Sequence, residues 1–520
     1  MTLIPGILSA TGQTATAPLQ VEPMDQFNEK LVQNVHPPDW TNPEPSGRYN
    51  LVVLGAGTAG LVSAAIGAAL GARVALVERY LMGGDCLNVG CVPSKAIIRS
   101  SRVAADLRDA CKYGVIGAAE AHVDFAAVME RMRRLRSEIS PHDSAARFSR
   151  LGVDVFLGDA RFTGRDSIEV SGTALRFKKA IIATGARPAA PAIPGLEEAG
   201  YLTNETVFSL TELPREFLII GAGPIGCELA QAFARLGSRV TLVTNGERIL
   251  PREDQEAASL LAEALERDGV RLLLGSEVER VTREGARYRV GVARDGSVGT
   301  FAVDHVLVGV GRTPNVEGLN LEAAGVESGN GRVKVDDHLR TSNRHIFAAG
   351  DVCSAFKFTH VADFAARIAA QNALFPFLPG KKLSRLVIPW CTYTDPEIAH
   401  TGAYPGDLEK AGVSFETLRV PLEETDRAVL DGEHGFLKVH VDSRKGALLG
   451  ATLVARHAGE MISELTLAMT QGVKLGAISG VIHPYPTQAE VIRKAADTYN
   501  RKRLTPSRKR LLKRIFAWLR

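Results

Sequence analysis

Two cysteines separated by four residues are the side chains in this sequence best suited to redox chemistry. They stand in the segment Gly83-Gly84-Asp85-Cys86-Leu87-Asn88-Val89-Gly90-Cys91-Val92-Pro93-Ser94-Lys95. At this spacing Cys86 and Cys91 can bridge across the start of a helix, where a cysteine near the N-terminus has a lowered pKa and is available as a thiolate. The other interpretations are half of a zinc site and two buried thiols. Because zinc needs about four ligands and no second Cys/His pair has a suitable spacing, the sequence favours redox use.

A glycine turn shortly before this segment predicts a dinucleotide site. The predicted elements are a strand at about 50–54, the turn Gly55-x-Gly57-x-x-Gly60, a helix at about 58–70 and a strand at about 73–77. The glycines permit a tight turn, a pyrophosphate close to the backbone and a helix packed on the strand. Glu78 ends the second strand, where an acid can bind a ribose diol. The alternatives are a βα turn without a ligand and a membrane span over 51–77, which the glycines disfavour.

A second turn of the same kind predicts a second dinucleotide site. It is Gly221-Ala222-Gly223-Pro224-Ile225-Gly226, between the apolar strands 217–220 and 240–243. The end of the second strand discriminates between nicotinamide cofactors, since an acid there favours NAD and an arginine favours NADP. Thr244 takes this position, and Arg248 and Arg252 follow it. The sequence therefore favours NADPH, with NAD as the alternative.

Composition excludes several broad classes of protein. The chain has 520 residues, enough for three or four domains. Its 62 Lys and Arg against 58 Asp and Glu give a net charge of +4, which argues against a strongly basic nucleic-acid binder. Six cysteines are too few for a disulfide-stapled secreted scaffold. The N-terminus has no basic region followed by an apolar run, so we expect no signal peptide and a cytoplasmic location.

The cysteine segment resembles the redox-active disulfide of the class I FAD-dependent pyridine nucleotide–disulfide oxidoreductases, a family that includes glutathione reductase, dihydrolipoyl dehydrogenase and mercuric reductase. The resemblance covers about residues 48–500. Three further motifs carry it together with the second glycine turn: Ala183-Thr184-Gly185-Ala186-Arg187-Pro188, Gly309-Val310-Gly311-Arg312-Thr313-Pro314-Asn315 and Ile346-Phe347-Ala348-Ala349-Gly350-Asp351. The resemblance implies an α/β fold with two Rossmann-like domains, for FAD and NAD(P), and an α+β C-terminal dimerisation domain in a homodimer.

The implied domains follow the order of these motifs. They are an N-terminal arm (1–46), the first part of the FAD-binding domain (47–196), the NAD(P)-binding domain (197–317), a central FAD-binding segment (318–386), the interface domain (387–500) and a basic tail (501–520). The arm is interpreted either as lying on the surface, pinned by Phe27 and Trp40, or as a mobile tail.

The resemblance also implies a role for each matching residue. Cys91 would lie against the flavin and Cys86 would meet the substrate. Lys95 would lie near the flavin and pair with Glu228, whereas the alternative for both is an exposed helix charge. The implied FAD-binding residues are Gly55, Gly57, Gly60, Glu78, Gly84, Lys95, Thr184, Gly185, Gly350, Asp351, Thr359 and His360. The implied NAD(P)-binding residues are Gly221, Gly223, Gly226, Thr244, Arg248, Arg252 and Gly311.

The interface domain departs from the family pattern at a position that bears on the substrate. Most disulfide reductases of this family have a His followed five residues later by a Glu, which the partner subunit supplies as a general acid/base. Here Tyr485 precedes Glu490, and His483 is out of register by two residues. A phenol with a pKa of ~10 is a poor proton shuttle for thiols. This departure is similar to that in mercuric reductase, where Hg(II) suits two thiolates that need no reprotonation.

The sequence therefore favours a thiophilic acceptor such as Hg(II), bound transiently by Cys86 and Cys91. The alternative is that His483 reaches the site and the acceptor is a small organic disulfide or lipoamide, as in dihydrolipoyl dehydrogenase. The C-terminal cysteine pair of mercuric reductase has no counterpart after Cys391. Cys353 and Cys391 are candidate extra thiols but fit buried structural positions better. The remaining cysteines, Cys111 and Cys227, are assigned to packing.

The basic tail has the pattern of an amphipathic helix. Residues 501–520 contain nine Lys and Arg and no acid, so the net charge of +4 becomes −5 when these nine are set aside. On a helical wheel Leu511, Leu512, Ile515, Phe516, Trp518 and Leu519 share one arc. Such a helix binds an anionic membrane surface, which suggests a second class of function, a membrane-surface electron-transfer partner. The alternatives are packing on the protein's own dimer and a frayed terminus.

Overall fold

The computed structural model describes residues 21–45, 47–118 and 121–520, which form two units. The first unit contains the chain up to Glu247 together with Gly269–Arg385. The second contains Arg248–Asp268 together with Leu386–Arg520. Residues 1–20 and Ser46 of the predicted arm lie outside the described residues.

Strands and helices alternate through much of the first unit. They are α1 (Gln26–Val35), β1 (Arg48–Leu54), α2 (Thr58–Ala69), β2 (Val74–Glu78), α3 (Gly84–Asn88), α4 (Cys91–Asp109), α5 (Phe125–Ile139), α6 (Ala145–Arg150), β3 (Val153–Leu157), β4 (Ala160–Gly164), β5 (Ser167–Val170), β6 (Thr173–Ile182), β7 (Ala186–Pro188), α7 (Leu196–Ala199), β8 (Glu216–Ile220), α8 (Pro224–Leu236), β9 (Arg239–Val243), β10 (Arg271–Leu273), β11 (Glu277–Glu284), β12 (Arg287–Arg294), β13 (Ser297–Val303), β14 (His305–Val308), β15 (Arg312–Pro314), β16 (Ser328–Gly329), β17 (Arg332–Val333), β18 (Ile346–Ala348) and α10 (Thr359–Leu374).

A seven-stranded sheet carries the first glycine turn. Its order is β3-β2-β1-β6-β5-β4, with β18 also paired to β6, and the pairs from β3 to β6 and β18 are parallel. Residues 51–54 of β1 are all buried, as expected of a parallel strand covered on both faces. The segment 51–77 therefore folds as strand, turn, helix and strand, so the βαβ interpretation is confirmed and the membrane-span interpretation is wrong.

The second glycine turn lies in a smaller parallel sheet of the same unit. Its four strands have the order β10-β9-β8-β14, and the turn joins β8 to α8. The antiparallel strands β11, β12 and β13 form a separate three-stranded sheet. Buried Leu218, Val243, Val290 and Val306 belong to one core cluster, so both sheets share this core. With two parallel glycine-turn sheets in one chain, the predicted α/β fold class is confirmed.

The described part of the N-terminal arm, residues 21–45, is folded onto the first unit. Asp25 caps α1 by accepting hydrogen bonds from the backbone N–H groups of Phe27 and Asn28, at 3.1 and 3.0 Å. One face of α1 is fully buried through Asn28, Leu31 and Val35. Further along, the Trp40 indole N–H donates to the carbonyl of Val155 in β3 at 3.1 Å. These contacts fix the arm along its described length.

The second unit is an α+β module. Its elements are α9 (Gln255–Arg267), β19 (Pro389–Thr392), β20 (Glu397–Gly402), α11 (Pro405–Lys410), β21 (Phe415–Pro421), α12 (Asp426–Asp431), β22 (Phe436–Asp442), β23 (Leu448–Ala455), α13 (Ala458–Thr470), α14 (Leu475–Ile478), α15 (Glu490–Lys502) and α16 (Pro506–Trp518). The strands form one antiparallel sheet in the order β19-β20-β23-β22-β21. Helices α13 and α15 pack on it and complete its core.

The predicted amphipathic tail is helical. Thr505 caps α16 by accepting a hydrogen bond from the backbone N–H of Arg508 at 3.4 Å. Every residue of 501–520 is exposed, including the six apolar side chains of the predicted arc. Among the described residues, no helix has both the length and the apolar character needed to cross a bilayer.

Candidate active site

The two cysteines of the motif lie at the junction of two helices. Cys86 is in the single-turn helix α3, and Cys91 is the first residue of α4. Gly90 makes the junction tight, because a Cβ at this position would lie 2.7 Å from the backbone oxygen of Asp85. Both cysteines are free thiols here, and they are hydrogen bonded to each other. The geometry is that of a dithiol whose sulfurs are already together.

The surroundings separate the acidities of the two thiols. The pKa of Cys91 is lowered to about 6, mainly by the hydrogen bond from Cys86 and further by Thr359 and the charge of Lys95, while burial opposes the shift. The Thr359 hydroxyl at the start of α10 lies 3.3 Å from Sγ of Cys91. The pKa of Cys86 is raised because of the same hydrogen bond and because of burial. Near neutral pH, Cys91 is therefore the thiolate and Cys86 keeps its proton.

An ion pair lies next to this dithiol. Lys95, one turn after Cys91 on α4, has its Nζ 2.7 Å from Oε2 of Glu228 on α8. The Glu228 side chain is only 6% exposed, so the lysine supplies the charge that makes burial of this carboxylate tolerable. The pair fixes the lysine close enough for its charge to lower the pKa of Cys91.

The first glycine turn has the shape of a nucleotide cradle. Gly55 has φ +97°, and a Cβ on it would lie 2.5 Å from the backbone oxygen of Ala183. A Cβ on Gly60 would collide with the backbone oxygen of Gly55. Gly84, with φ +56°, brings the start of α3 against the turn, since its Cβ would lie 2.7 Å from Cα of Gly57. The redox segment and the glycine turn are thus in contact, as an FAD spanning both would require.

The other predicted FAD residues of the first unit surround this turn. Glu78 accepts from the backbone N–H groups of Ala56 and Tyr80 at 2.6 and 2.9 Å, and burial raises its pKa. The Thr184 hydroxyl donates to the carbonyl of Asn315 at 2.7 Å, which joins Thr184 and Gly185 to the Gly311 motif. Gly350 packs its backbone on Ala59, which puts Asp351 near α2. His360 is exposed and its ring stacks on Phe358.

The cradle fits FAD on chemical grounds. It combines a helix N-terminus for the pyrophosphate, an acid at the end of the second strand and backbone positions that a Cβ would fill. Burial raises the pKa of Asp351, the predicted partner of the ribityl chain. The residues that would hold the cofactor are therefore those of the turn, Glu78, Gly84 and Asp351.

The second glycine turn fits a nicotinamide dinucleotide. A Cβ on Gly221 would lie 2.7 Å from the backbone oxygen of Gly309, and one on Gly226 would collide with Gly221. Gly223 faces open space, where a pyrophosphate can approach the backbone. The Thr244 hydroxyl accepts from the backbone N–H of Gly246 at 3.2 Å. The two predicted arginines belong to the second unit: Arg248 donates to the carbonyls of Pro251 and Glu253, and Arg252 is exposed.

The second unit holds the predicted acid/base residues in different environments. The Tyr485 side chain is 71% exposed, and its hydroxyl donates to Oδ2 of Asp426 at 2.8 Å, which raises the pKa of the phenol. Glu490 starts α15, is buried and pairs with Arg493 at 2.9 Å. His483 has its ring turned inward, with Nε2 3.1 Å from Oε1 of Glu464. Only Tyr485 presents an exposed side chain.

Sequence reasoning missed two charged neighbours of Cys86. Arg312 forms an ion pair with Asp85 and lies 3.6 Å from Oδ2 of Asp351. Arg312 belongs to the motif 309–315, so the sequence indicates that it lies near the cofactor site. The sequence does not indicate that Asp85 is its partner. Asp143 has a pKa raised by burial, and its carboxylate lies 3.0 Å from a Cβ built on Gly83. Nothing in the local sequence distinguishes Asp143 from an ordinary surface acid.

The remaining four cysteines lie outside the Cys86–Cys91 motif. Cys227 and Cys353 are buried, and burial raises the pKa of both thiols, that of Cys353 to about 12. Cys391 is half-buried, with Sγ 4.0 Å from Oε2 of Glu397. Cys111 is exposed, so its assignment to packing is wrong. Over the described ranges, no group of three or more His, Cys, Asp or Glu side chains could hold a metal ion.

Two family models match the chain. Residues 49–366 match the model for pyridine nucleotide-disulphide oxidoreductases, and residues 388–496 match the dimerisation domain of that family. The dimerisation domain supports a homodimer. Members of the family use FAD and NAD(P)H, which agrees with the two glycine turns.

Individual relatives extend the comparison. Mercuric reductase of Bacillus cereus is 34% identical over 492 residues, covering 94% of this chain and 77% of the relative. Dihydrolipoyl dehydrogenase of Thermus scotoductus is 34% identical over 467 residues, covering 87% and 98%. Among solved structures, LpdA of Mycobacterium tuberculosis has a TM-score of 0.78 at 28% identity, covering 86% of this chain and 99% of its own.

A Cu(II) complex of the HOCl-induced flavoprotein disulfide reductase RclA of Escherichia coli is also similar, with a TM-score of 0.76 at 28% identity, covering 87% of this chain and 100% of its own. The family model spans more than half of the sequence, and relatives of known class align with most of it. The chain therefore belongs to the pyridine nucleotide-disulphide oxidoreductase family.

Proposed function

We propose that this chain is an NADPH-dependent reductase of a thiophilic acceptor, Hg(II) or a related soft metal ion, acting through Cys86 and Cys91. The observation that carries the proposal is the exposed Tyr485, which takes the position of the family's histidine and is bonded to Asp426. A phenol so bonded holds its proton near neutral pH, so it suits an acceptor whose capture needs no proton shuttle. Relatives named mercuric reductase support Hg(II), and the Cu(II) complex of RclA supports a metal ion as ligand of this fold.

The dithiol supplies the chemistry of capture. Bound FAD would carry two electrons from the nicotinamide to the Cys86–Cys91 disulfide. Cys91 then holds a thiolate under the influence of Thr359 and Lys95, while Cys86 delivers its proton to solvent when its sulfur binds the metal. Two thiolate ligands satisfy Hg(II). The bound metal takes two electrons from the two thiolates and leaves as Hg(0), and the Cys86–Cys91 disulfide re-forms for the next reduction by NADPH. Binding raises the fraction of Cys86 that is deprotonated, since the metal competes with the proton.

NADPH is proposed over NADH because no carboxylate takes the end of β9. Thr244 stands there, and its hydroxyl is occupied by the backbone of Gly246. Of the two downstream arginines, Arg252 is exposed, whereas Arg248 is bonded to backbone carbonyls. Comparing kcat/KM for NADPH and NADH in the wild type and in Arg252→Ala tests the preference. An unchanged ratio in the variant would assign the selectivity elsewhere.

The alternative acceptor is a small organic disulfide or lipoamide, as relatives named dihydrolipoyl dehydrogenase suggest. It requires a general acid at the site, and the nearby His483 ring is turned inward onto Glu464. The exposed phenol of Tyr485 therefore favours a metal ion over an organic disulfide as the acceptor.

The deciding experiment is oxidation of NADPH with Hg(II)–thiol complexes, oxidised glutathione and lipoamide, each with the wild type, Cys86→Ala and Cys111→Ala. Cys111 is the matched control, because it is an exposed thiol outside the Cys86–Cys91 motif. We expect Hg(II)-dependent turnover that Cys86→Ala abolishes and Cys111→Ala preserves. Robust turnover of oxidised glutathione, or equal Hg(II) activity in Cys86→Ala, would contradict the proposal.

The tail suggests a partner for the whole enzyme, an anionic lipid surface. The apolar arc of α16 is exposed, with Trp518 85% accessible, and Lys509, Arg510, Lys513 and Arg514 lie opposite it. An exposed apolar arc beside a face rich in basic residues complements lipid with negative head groups. Docking there would place the enzyme as an electron-transfer partner at the bilayer.

Co-sedimentation with vesicles tests the tail. We expect binding to vesicles that contain phosphatidylserine but not to neutral ones, and loss of binding in a chain that ends at Asn500. Lys513→Glu with Arg514→Glu should also lose it while the apolar arc is kept. Equal co-sedimentation of the shortened and full-length chains with these vesicles would contradict the lipid partner. If removal of the tail instead dissociates the homodimer, the helix covers the protein's own surface.

A further inference from the structure

We infer that the N-terminal arm positions the redox segment through two side chains: Asn28 of the arm holds Arg136, and Arg136 holds the backbone carbonyl of Asn88. The arm, residues 21–45, precedes the family match, which begins at residue 49. The inference rests on the proposed redox role of Cys86 and Cys91. It assigns two positioning residues for that pair, Asn28, which lies before the family match, and Arg136, which lies within it.

The central member is a buried guanidinium. Arg136 on α5 is only 2% exposed, and its Nη1 donates to the carbonyl of Asn88 at 2.5 Å. Asn88 is the last residue of α3, the helix that carries Cys86. The last carbonyls of a helix lack partners within it, so an outside donor is needed to satisfy them when they are buried. Arg136 is that donor, and it fixes the backbone between the two cysteines.

Asn28 fixes the guanidinium from the other side. Its Oδ1 accepts from Nη2 of Arg136 at 2.7 Å, and the residue is fully buried on α1. Its Nδ2 donates to the carbonyl of Pro23 at 2.8 Å, so the amide can present only its oxygen to the arginine. Both acceptors of the guanidinium are neutral oxygens, and burial lowers the pKa of Arg136 to about 10. Loss of either acceptor would leave a buried charged donor unpaired.

The arm also contacts the beginning of the redox segment. The backbone N–H of Met82 donates to the carbonyl of Val35 at 3.1 Å, and the His36 ring is bonded to the carbonyl of Tyr80. The Asn88 side chain closes this segment on itself by donating to the carbonyl of Met82 at 3.0 Å. The arm therefore holds the segment at both ends. A shift of α3 changes the hydrogen bond between the two sulfurs, which is the main cause of the lowered pKa of Cys91.

The chain offers a matched control on the same arm. Asn42 also makes two side-chain hydrogen bonds, to the carbonyl and the N–H of Leu157 at 2.9 and 2.7 Å. Those bonds lead to β3 and not to the redox segment. Asn28→Ala and Asn42→Ala each remove two side-chain hydrogen bonds of the arm, but only Asn28→Ala should change the pKa of Cys91.

The test measures the pH dependence of Cys91 alkylation by iodoacetamide in the reduced holoenzyme, with the modified peptide assigned by mass spectrometry. The long-wavelength absorbance of the thiolate beside the flavin gives a second reading. For Asn28→Ala we expect the midpoint of both profiles to rise by roughly half a pKa unit, which slows alkylation about threefold below pH 6. Asn42→Ala should leave both midpoints unchanged.

Two further variants keep the test decisive. Asn28→Asp retains the acceptor oxygen for Arg136 but loses the donor to the Pro23 carbonyl, so its midpoint should lie nearer the wild-type value than that of Asn28→Ala. Arg136→Lys retains the charge but cannot reach two acceptors with a fork, so it should shift the midpoint as Asn28→Ala does, and it decides the matter if Asn28→Ala does not fold. Equal midpoints in all variants, or equal shifts for Asn28→Ala and Asn42→Ala, overturn the inference. Absence of the thiolate absorbance in the wild type would instead contradict the proposed function.

Discussion

The hydroxyl of Thr359 lies 3.3 Å from the sulfur of Cys91, although 268 positions separate the two residues in the chain. The contact joins the N-terminus of α10 to the N-terminus of α4. A hydroxyl that donates to sulfur favours the thiolate over the thiol. Thr359 thus acts on the dithiol directly, in addition to its predicted place beside the flavin.

Thr359→Val should therefore raise the pKa of Cys91. Valine keeps the shape of the side chain but removes the donor, so the midpoint of the Cys91 alkylation profile should move up by roughly half to one unit. Thr359→Ser retains the hydroxyl and should stay near the wild type. A Val variant that titrates as the wild type does would show that the hydroxyl does not bond to the thiolate in solution.

The ion pair of Lys95 and Glu228 predicts shifts of opposite sign. The lysine charge lowers the pKa of Cys91 and the glutamate charge raises it, so Lys95→Met should move the alkylation midpoint up and Glu228→Gln should move it down. Each single change should also lower the free energy of unfolding by about 1–3 kcal/mol, a range reduced because Lys95 is one-third exposed. Midpoints that move in the same direction would mean that repacking, not charge, governs the thiol.

Gly84 predicts a link between backbone shape and cofactor retention. Gly84→Ala places a Cβ at positive φ and against the Cα of Gly57, so it should lower the free energy of unfolding by about 2–4 kcal/mol and reduce the FAD bound per subunit. Gly71→Ala is the control, because Gly71 also has positive φ but its Cβ would meet only open space. That variant should lose about 1 kcal/mol and keep its FAD. Equal FAD content in Gly84→Ala and Gly71→Ala would show that the contact between Gly84 and Gly57 is not needed to retain FAD.

The parts that the sequence predicts well are local. Each glycine turn is a short run of residues whose backbone must approach a strand or a phosphate, so the motif and the resulting βαβ unit are visible in about thirty residues. The α/β class follows from two such units and is confirmed. The cysteine pair is visible for the same reason, since both sulfurs stand on one tight junction.

The parts that escape sequence reasoning depend on tertiary contacts between distant segments. Arg136 meets Asn28 and Asn88, from which it is 108 and 48 positions away. On α5 it reads as one of several arginines on a solvated helix, and only the packed arm makes it a buried donor. The ion pair between Asp85 and Arg312 likewise cannot be predicted from either local segment, because it forms only in the folded chain. Local sequence patterns predict a helix or a strand, but they do not specify which distant segment will pack against it.

A pair of buried histidines in the second unit predicts how stability depends on pH. His400 is fully buried in β20, where Nδ1 lies 2.8 Å from the Thr452 hydroxyl and the ring stacks on Tyr404. Burial lowers the pKa of His400 to about 3, and it lowers that of His440, which lies 2.9 Å from the Thr417 hydroxyl, to about 4. Both rings are therefore neutral in the folded protein well below neutral pH.

Because an unfolded histidine titrates near pH ~6.5, the unfolded state binds more protons than the folded state between about pH 3 and 6.5. The free energy of unfolding should consequently fall as the pH falls through this range, by on the order of 2 kcal/mol for His400 between pH 7 and pH 5. Urea unfolding at the two pH values measures the loss, which His400→Gln should reduce because glutamine does not titrate. His122→Gln replaces an exposed histidine, so between pH 7 and pH 5 its free energy of unfolding should fall by as much as that of the wild type. If His400→Gln also loses as much, the ring takes up its proton without unfolding, and the buried network accepts the charge.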